Sequence, residues 1–356
     1  MQNRMRGLYT LVVPALDRTG PVNVAVDIGR AACAAGWQVR MLHLGGTATR
    51  DDLGFATEVR SWRKSDLWRL RGVVHTHCLR PDLMGWLLSW NRRITLMTTV
   101  HNFFLFDVGF DKPKLYVRVA WLLWKRALAR YDHVVCICEA MRRYYRRALP
   151  GQPLSMAYNF RAAPEIAVAD PSVLAWIEAR KRAGLTVLVF VGSLSDRKNI
   201  TGLVAALADA QSLALVVCGQ GPLLESLDAM LRERSLADRV LLAGQVMSPA
   251  SIIRHGHALV LPSFAEGFPL AVIEAAAVGI PSLLSNIAVH RELAELGFGR
   301  VFDHRCFKDL ETASLSLVAH LPAPSATMQR LWASRFTPEA GFARYEALLD
   351  ASAPAR

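Results

Sequence analysis

Nowhere among the 356 residues is there a run of the roughly 18 to 20 uncharged apolar residues that a bilayer-spanning helix needs. The run V-A-W-L-L-W at 119–124 is closed by Arg118 and Lys125, which excludes a span there. The opening M-Q-N-R-M-R-G-L-Y-T-L-V-V-P has too short an apolar core for a signal peptide and runs into what reads as a first strand, so a cytosolic chain is expected. Paired C-x-x-C spacings are missing as well: Cys33, Cys78, Cys136, Cys138, Cys218 and Cys306 do not have the arrangement of a zinc site. His133, Cys136 and Cys138 are close in sequence, but V-V-C-I-C alternates as a buried strand does, so reduced core thiols are expected and no metal. A complete G-x-G-x-x-G followed by an acidic residue about twenty positions on is also absent, which argues against a nicotinamide dehydrogenase. Internal repeats and low-complexity tracts are lacking, and a hydrophobic content of 52% is enough for two globular domains with real cores and excludes disorder.

What is present is charge, unevenly placed. Residues 1–150 hold 24 Lys and Arg against 11 Asp and Glu, whereas residues 151–356 hold 18 against 19. The whole excess of +12 therefore lies in the N-terminal part, which points to a polyanionic partner for that part: a membrane surface, a nucleic acid or an acidic substrate.

Short β-branched runs alternate with helical patterns: L-Y-T-L-V-V, W-Q-V-R-M-L-H-L, G-V-V-H, I-T-L-M-T-T-V and H-V-V-C-I-C, with N-V-A-V-D-I-G-R-A-A-C-A-A-G among the helices. This is the rhythm of a parallel sheet wrapped by helices. It pauses at F-R-A-A-P-E-I-A-V-A-D-P (160–171) and restarts with T-V-L-V-F-V-G, L-A-L-V-V-C-G, R-V-L-L-A-G, H-A-L-V-L-P and P-S-L-L-S. The expected architecture is α/β: two Rossmann-like βα domains, residues 1–165 and 166–336, facing a cleft, with a closing helix in 337–356 that starts at Pro338 and crosses back onto the first domain.

The stretch E-G-F-P-L-A-V-I-E-A-A-A-V-G-I-P, 266–281, carries two carboxylates in an apolar run. Pro269 suits a first helical turn and Gly279 a position just past the last, so a helix is expected over about 269–278. Amides of residues 268–271 would then be unpaired and aimed outward, an anion site suited to phosphate. Glu266 lies before that helix and Glu274 in its second turn; carboxylates only accept hydrogen bonds and match sugar hydroxyls, so the stretch reads as able to hold both ends of a nucleotide-sugar. Further segments aim at the same place. F-V-G-S-L-S-D-R-K-N puts Arg197 and Lys198 in a loop after a strand, where cations neutralise a diphosphate leaving group. C-G-Q-G-P-L follows another strand, with Gly219 allowing close backbone approach; T-T-V-H-N places His101 just after a strand, and D-R-T-G-P-V-N offers the amide of Gly20.

Taken together, these segments resemble the retaining glycosyltransferases of the GT-B fold, family 4 (group 1 type), from R-T-G-P-V-N-V through V-V-H-T-H, T-V-H-N, C-I-C-E-A-M, F-V-G-S-L-S-D-R-K-N and C-G-Q-G-P-L to L-P-S-F-A-E-G-F-P-L-A-V-I-E-A. The resemblance implies that Glu274 binds ribose hydroxyls and that Glu266, with the amides around Phe268 and Pro269, holds the transferred sugar. It places Leu270 and Ala271 at the phosphates, Lys198 at the diphosphate, Gly20 opposite it, and His101 at the sugar near the reacting carbon. The family usually has an arginine where this chain has Ser193, so the second cation is expected from Arg197.

The implied reaction is transfer of a sugar from a UDP- or GDP-linked donor to an acceptor hydroxyl with retained anomeric configuration, without a further cofactor. D-x-D is absent, so the usual ligands of a metal-bridged diphosphate are missing and metal independence is expected. The basic part fits a lipid-linked or glycan acceptor in cell-envelope polysaccharide or lipopolysaccharide synthesis. In K-L-Y-V-R-V-A-W-L-L-W-K-R-A-L-A-R, Lys114, Arg118 and Lys125 are expected to share a face edged by Trp121 and Leu128, and M-R-R-Y-Y-R-R adds a second cationic stripe. That composition suits peripheral contact with the inner face of the cell membrane, through anionic headgroups. A nucleic-acid partner is not expected, since nothing resembles a recognition module. The alternative is a non-catalytic, basic lipid- or nucleotide-binding relative of the same fold.

Overall fold

The computed structural model describes residues 6–46 and 50–352; the first residues of the opening segment and residues 353–356 of the closing one, both part of the sequence reading, lie outside them. The chain divides into two compact units, residues 1–162 with 335–356, and residues 163–334. These limits fall two or three residues before the 165 and 336 drawn from sequence, because the segments around 161 and 336 pair inside the first unit, Arg161 N donating to Phe336 O at 2.9 Å.

In the first unit the β-branched runs form β1 (Leu8–Val13), β2 (Gln38–His43), β3 (Glu58–Ser61), β4 (Gly72–His77), β5 (Ile94–Val100), β6 (His133–Cys136) and β7 (Leu154–Met156). All pair in parallel in the order β3-β2-β1-β4-β5-β6-β7. The strand order reverses between β1 and β4, and crevices outside the carboxyl ends at such a reversal are where doubly wound sheets hold ligands. The helix Pro338–Ser352 packs in this unit against the helix Gly20–Ala34, its Phe342 and Tyr345 rings meeting Tyr9 and His75. A Cβ at Gly341 would stand 2.1 Å from the Phe160 ring, so that close approach requires glycine.

In the second unit β8 (Thr186–Val191), β9 (Leu213–Cys218), β10 (Val240–Gly244), β11 (Ala258–Leu261), β12 (Ser282–Ser285) and β13 (Gly299–Phe302) form another parallel sheet, in the order β10-β9-β8-β11-β12-β13. The near-continuous apolar character of T-V-L-V-F-V and L-A-L-V-V-C follows from burial on both faces, with Leu188, Phe190, Leu215 and Val217 in one core with Leu203, Leu227 and Leu317. Here the reversal lies between β8 and β11. Among the described residues no helix is long and apolar enough to cross a membrane. None of the cysteines is in a disulfide; Cys136 and Cys138, expected as core thiols, are buried, as is Cys218, while Cys78 is half-buried and Cys33 and Cys306 are exposed.

Candidate functional site

The loops after β8 and β11, at the reversal point of the second sheet, carry the cations and the first glutamate of the sequence motifs. Residues Asp196–Lys198 form one 3-10 turn, ended by Asn199 at φ 52°, a left-handed conformation that asparagine tolerates. The Asn199 side-chain amide donates to His304 O at 2.9 Å and Pro262 O at 3.3 Å, while Phe264 N donates to Arg197 O at 2.9 Å. The turn is thereby laced to the loops after β11 and β13, and the side chains of Arg197 and Lys198 are directed onto one acceptor.

That acceptor is Glu266, 6% exposed. Its Oε1 accepts from Lys198 Nζ at 2.5 Å and from Ser263 Oγ at 2.7 Å; Arg197 Nη1 stands 3.6 Å from Oε2 and donates to Ala265 O at 2.8 Å. Burial alone pushes the carboxyl up, but Lys198, Arg197 and His290 together bring it down to about 2. Glu266 is therefore an anion at neutral pH holding two cations, a cluster of net charge +1 that attracts a further anion. Arg197 is turned toward the loop of Glu266, with part of its side chain still in contact with water.

Support comes from three residues that the sequence reading passed over. Ser285 Oγ donates to Ser263 O at 2.7 Å and is 2.8 Å from His290 Nδ1, both buried beneath Glu266's loop. Their only sequence signal was polar residues in otherwise apolar surroundings.

The helix after Glu266 runs Leu270–Ala277, one residue shorter at each end than expected, with Pro269 as its uncapped N-cap. Of the four amides expected to be unpaired, position 269 has none to offer, since proline lacks an N–H. Leu270 and Ala271 stand in the first turn, where helix geometry supplies no intrahelical acceptor. Phe268 and Pro269 are buried, and Glu274 is half-buried in the second turn.

Ser193 is exposed, its Oγ 3.3 Å from that of Ser195. Gly192 lies beneath Lys198, where a Cβ would make only ordinary contact with Lys198 Cε at 3.5 Å. Gly219 also serves a packing task that was not expected. A Cβ on it would stand 1.8 Å from Gly192 O, and one on Gly221 2.4 Å from Leu194 O, so these glycines let the loops after β8 and β9 lie back to back.

In the first unit, Gly20 opens the helix Gly20–Ala34, and a Cβ there would meet nothing within 4 Å, so its surface is open to a ligand. His101 follows β5 directly and is half-buried, with Nε2 2.8 Å from His77 Nδ1. Burial pushes His101 and His75 down to about 3, and His77 well below its usual range, so all three rings are neutral at neutral pH. Among the described residues no group of three His, Cys, Asp or Glu side chains is placed to hold a metal ion.

The basic surface of this unit differs in detail from its sequence reading. On the helix Lys114–Leu128, Leu128 is fully buried and Trp121 packs with Phe104, Trp124 and Tyr145, whereas Leu115, Val119, Leu122 and Leu123 are exposed between Lys114, Arg118 and Arg126. The 3.6-residue period assigns the buried stripe to 117, 120, 124, 127 and 128, so the outward face alternates cations with large apolar side chains. Beside it lies a groove of about 430 Å³ lined by Leu105, Phe106, Gly109, Lys112, Lys114, Val117 and Arg118.

Two family models cover most of the chain: glycosyltransferase family 4 matches residues 18–160, and glycosyl transferases group 1 matches residues 177–320. An O-antigen biosynthesis glycosyltransferase, WclY of Escherichia coli, is 25% identical over 66% of this chain and 64% of its own length. The chain thus spans somewhat under two thirds of that relative. An Escherichia coli UDP-Gal:alpha-D-GlcNAc-diphosphoundecaprenol alpha-1,3-galactosyltransferase is 37% identical over 60% of this chain and 58% of its own. Among solved structures, HepE of Anabaena in complex with UDP superposes with a TM-score of 0.76 at 15% identity, covering 97% of this chain and 100% of that one, a likeness of fold. Two parallel βα sheets, the second with Arg197, Lys198 and Glu266 in the loops at its reversal point, and family models matched across both units, lead to one conclusion: the chain belongs to the group 1, family 4 glycosyltransferases of the GT-B fold.

Proposed function

We propose that the protein transfers a sugar from a UDP- or GDP-linked donor to the hydroxyl of a lipid-linked or glycan acceptor in cell-envelope glycan synthesis, with retention of configuration and without a metal. The observation that carries this reading is the convergence of Lys198 and Arg197 on buried Glu266, directly before the uncapped helix Leu270–Ala277. An arriving diphosphate draws the ammonium and guanidinium toward its oxygens, and the first-turn amides of Leu270 and Ala271 add their partial charge. Glu266, relieved of part of that pairing, becomes an acceptor for hydroxyls of the transferred sugar. As the glycosidic bond breaks, negative charge grows on the diphosphate, and fixed cations stabilise that state more than the ground state. Glu266 is engaged by Lys198, Arg197 and Ser263 and is a poor nucleophile, which favours attack by the acceptor on the face that the diphosphate leaves. In this reading Glu274 holds the ribose, Ser193 and Gly20 approach the phosphates, Phe268 and Pro269 shape the sugar pocket, and His101 contacts the sugar. The relatives named for O-antigen synthesis and for a diphosphoundecaprenol acceptor support the acceptor class.

The test is a transfer assay with UDP- and GDP-sugars in EDTA, preceded by thermal denaturation with each nucleotide. A nucleotide at 100 times its dissociation constant is expected to stabilise the fold by roughly 2.7 kcal/mol. Activity that EDTA removes and magnesium or manganese restores contradicts metal independence; binding of nucleotide without any transfer favours the non-catalytic alternative.

The exposed face of Lys114–Leu128 fits an anionic membrane surface, since it combines Lys114, Arg118 and Arg126 with Leu115, Val119, Leu122 and Leu123. In flotation with vesicles, binding is expected to require anionic lipid and to weaken at high salt, where charge attraction is screened beyond about 3 Å at 1 M. Equal binding to neutral vesicles at all salt concentrations contradicts this assignment.

A further inference from the structure

We propose that His77 is a positioning residue that fixes the tautomer of His101, so that His101 presents Nδ1–H as a hydrogen-bond donor and not a bare ring nitrogen as a base. Strand β4 ends in H-T-H, and side chains two apart share a face, so His75 and His77 lie side by side with ring centroids 4.3 Å apart. His101, just beyond the end of neighbouring β5, stacks on His77 at 5.1 Å and 29°. A single proton lies between His77 Nδ1 and His101 Nε2, which are 2.8 Å apart.

If His101 Nε2 owned that proton, the proton of His77 would sit on its Nε2. That atom is buried and has no partner among the described residues. His75 cannot help, because its Nδ1 is engaged by Tyr9 Oη and its Nε2 by Thr99 Oγ1, each at 2.8 Å. A buried donor without an acceptor is the rarer and costlier defect. With the proton on His77 Nδ1, the buried His77 Nε2 is only a bare lone pair, and the proton of His101 moves to Nδ1 on a ring that keeps contact with solvent. Burial holds both rings neutral, which removes the doubly protonated alternative. A neutral Nδ1–H beyond the carboxyl end of β5 suits a sugar oxygen. That last step rests on the proposed function; the tautomer does not.

The experiment is a two-bond proton–nitrogen correlation spectrum of the full chain labelled with nitrogen-15 histidine, the His101 signals being assigned by His101→Gln. Wild type is expected to show His101 protonated on Nδ1. His77→Phe is expected to leave His101 exchanging between tautomers and to lower kcat severalfold, as the share of molecules presenting Nδ1–H falls, with donor KM little changed. His77→Asn, whose amide N–H can stand where Nδ1–H stood, is expected to restore both. Wild-type His101 protonated on Nε2, or a tautomer that His77→Phe leaves intact, overturns the proposal, and the wild-type spectrum decides even if the variants fail to fold. A tautomer that shifts while kcat stays unchanged upholds the role of His77 and instead contradicts the placing of His101 at the sugar.

Discussion

Lys198→Ala is expected to lose both activity and stability, and the double variant Lys198→Ala/Glu266→Ala to recover the stability alone. Removing Lys198 strands a carboxylate that is 6% exposed, with Arg197 at 3.6 Å as its remaining cation. Breaking a buried ion pair from one side costs about 3–5 kcal/mol. Glu266→Ala is milder, because the Lys198 and Arg197 side chains are 14% and 31% exposed and can turn to water. The double variant leaves no stranded charge, so chemical denaturation should place it well above Lys198→Ala. Activity behaves differently: loss of a charged donor to the developing diphosphate costs roughly 10² to 10³ in kcat, and deleting Glu266 as well restores none of it. A double variant as unstable as Lys198→Ala contradicts the ion-pair account. In wild type, Glu266 has its carboxyl lowered from the ordinary 4.5 to about 2. Its stabilising contribution is therefore complete above pH 4.5 and fades as the pH falls toward 2.

The two glutamates of the E-x7-E motif are expected to fail in different ways. Glu274 stands in the second turn of Leu270–Ala277, while Glu266 is bound into the cation cluster. If Glu274 accepts two ribose hydroxyls, each charged hydrogen bond is worth about 1.5–3 kcal/mol, so Glu274→Ala should weaken nucleoside diphosphate binding by about 10² or more. Glu266→Ala frees Lys198 and Arg197 for the diphosphate, and the affinity for bare UDP or GDP should stay level or rise while transfer falls. Isothermal titration separates the two. Equal loss of nucleotide affinity in both variants contradicts the division of labour.

Central strands were legible in the sequence because burial on both faces writes them as apolar runs. The three strands that periodicity missed, Glu58–Ser61, Leu154–Met156 and Gly299–Phe302, are all sheet edges, short and in part charged, where no such run is required. The loop cations and the motif glutamates were legible as residues, since charge in an apolar context stands out. Their pairing was not: that Lys198 and Arg197 meet Glu266 depends on the left-handed Asn199 and its bonds to Pro262 and His304, contacts 63 and 105 positions distant along the chain. The packing of Gly219 on Gly192 was not legible, because close backbone approach to a neighbouring loop and to a ligand leave the same glycine signature. On Lys114–Leu128 the cations were visible, but which large apolar residues face outward follows only from how the helix packs.

The central claim is that the reversal point of the second sheet, with Lys198, Arg197 and the start of Leu270–Ala277, binds the diphosphate of a nucleotide-sugar. Isothermal titration of UDP and GDP into wild type and Lys198→Ala, in EDTA, tests it most directly. One nucleotide is expected to bind wild type one to one with a dissociation constant between about 1 μM and 1 mM, the usual range of enzyme substrates, and to bind the variant at least about 10-fold more weakly, the loss of one charged hydrogen bond. Failure of both nucleotides to bind wild type at millimolar concentration, or undiminished binding by a folded Lys198→Ala, contradicts the account.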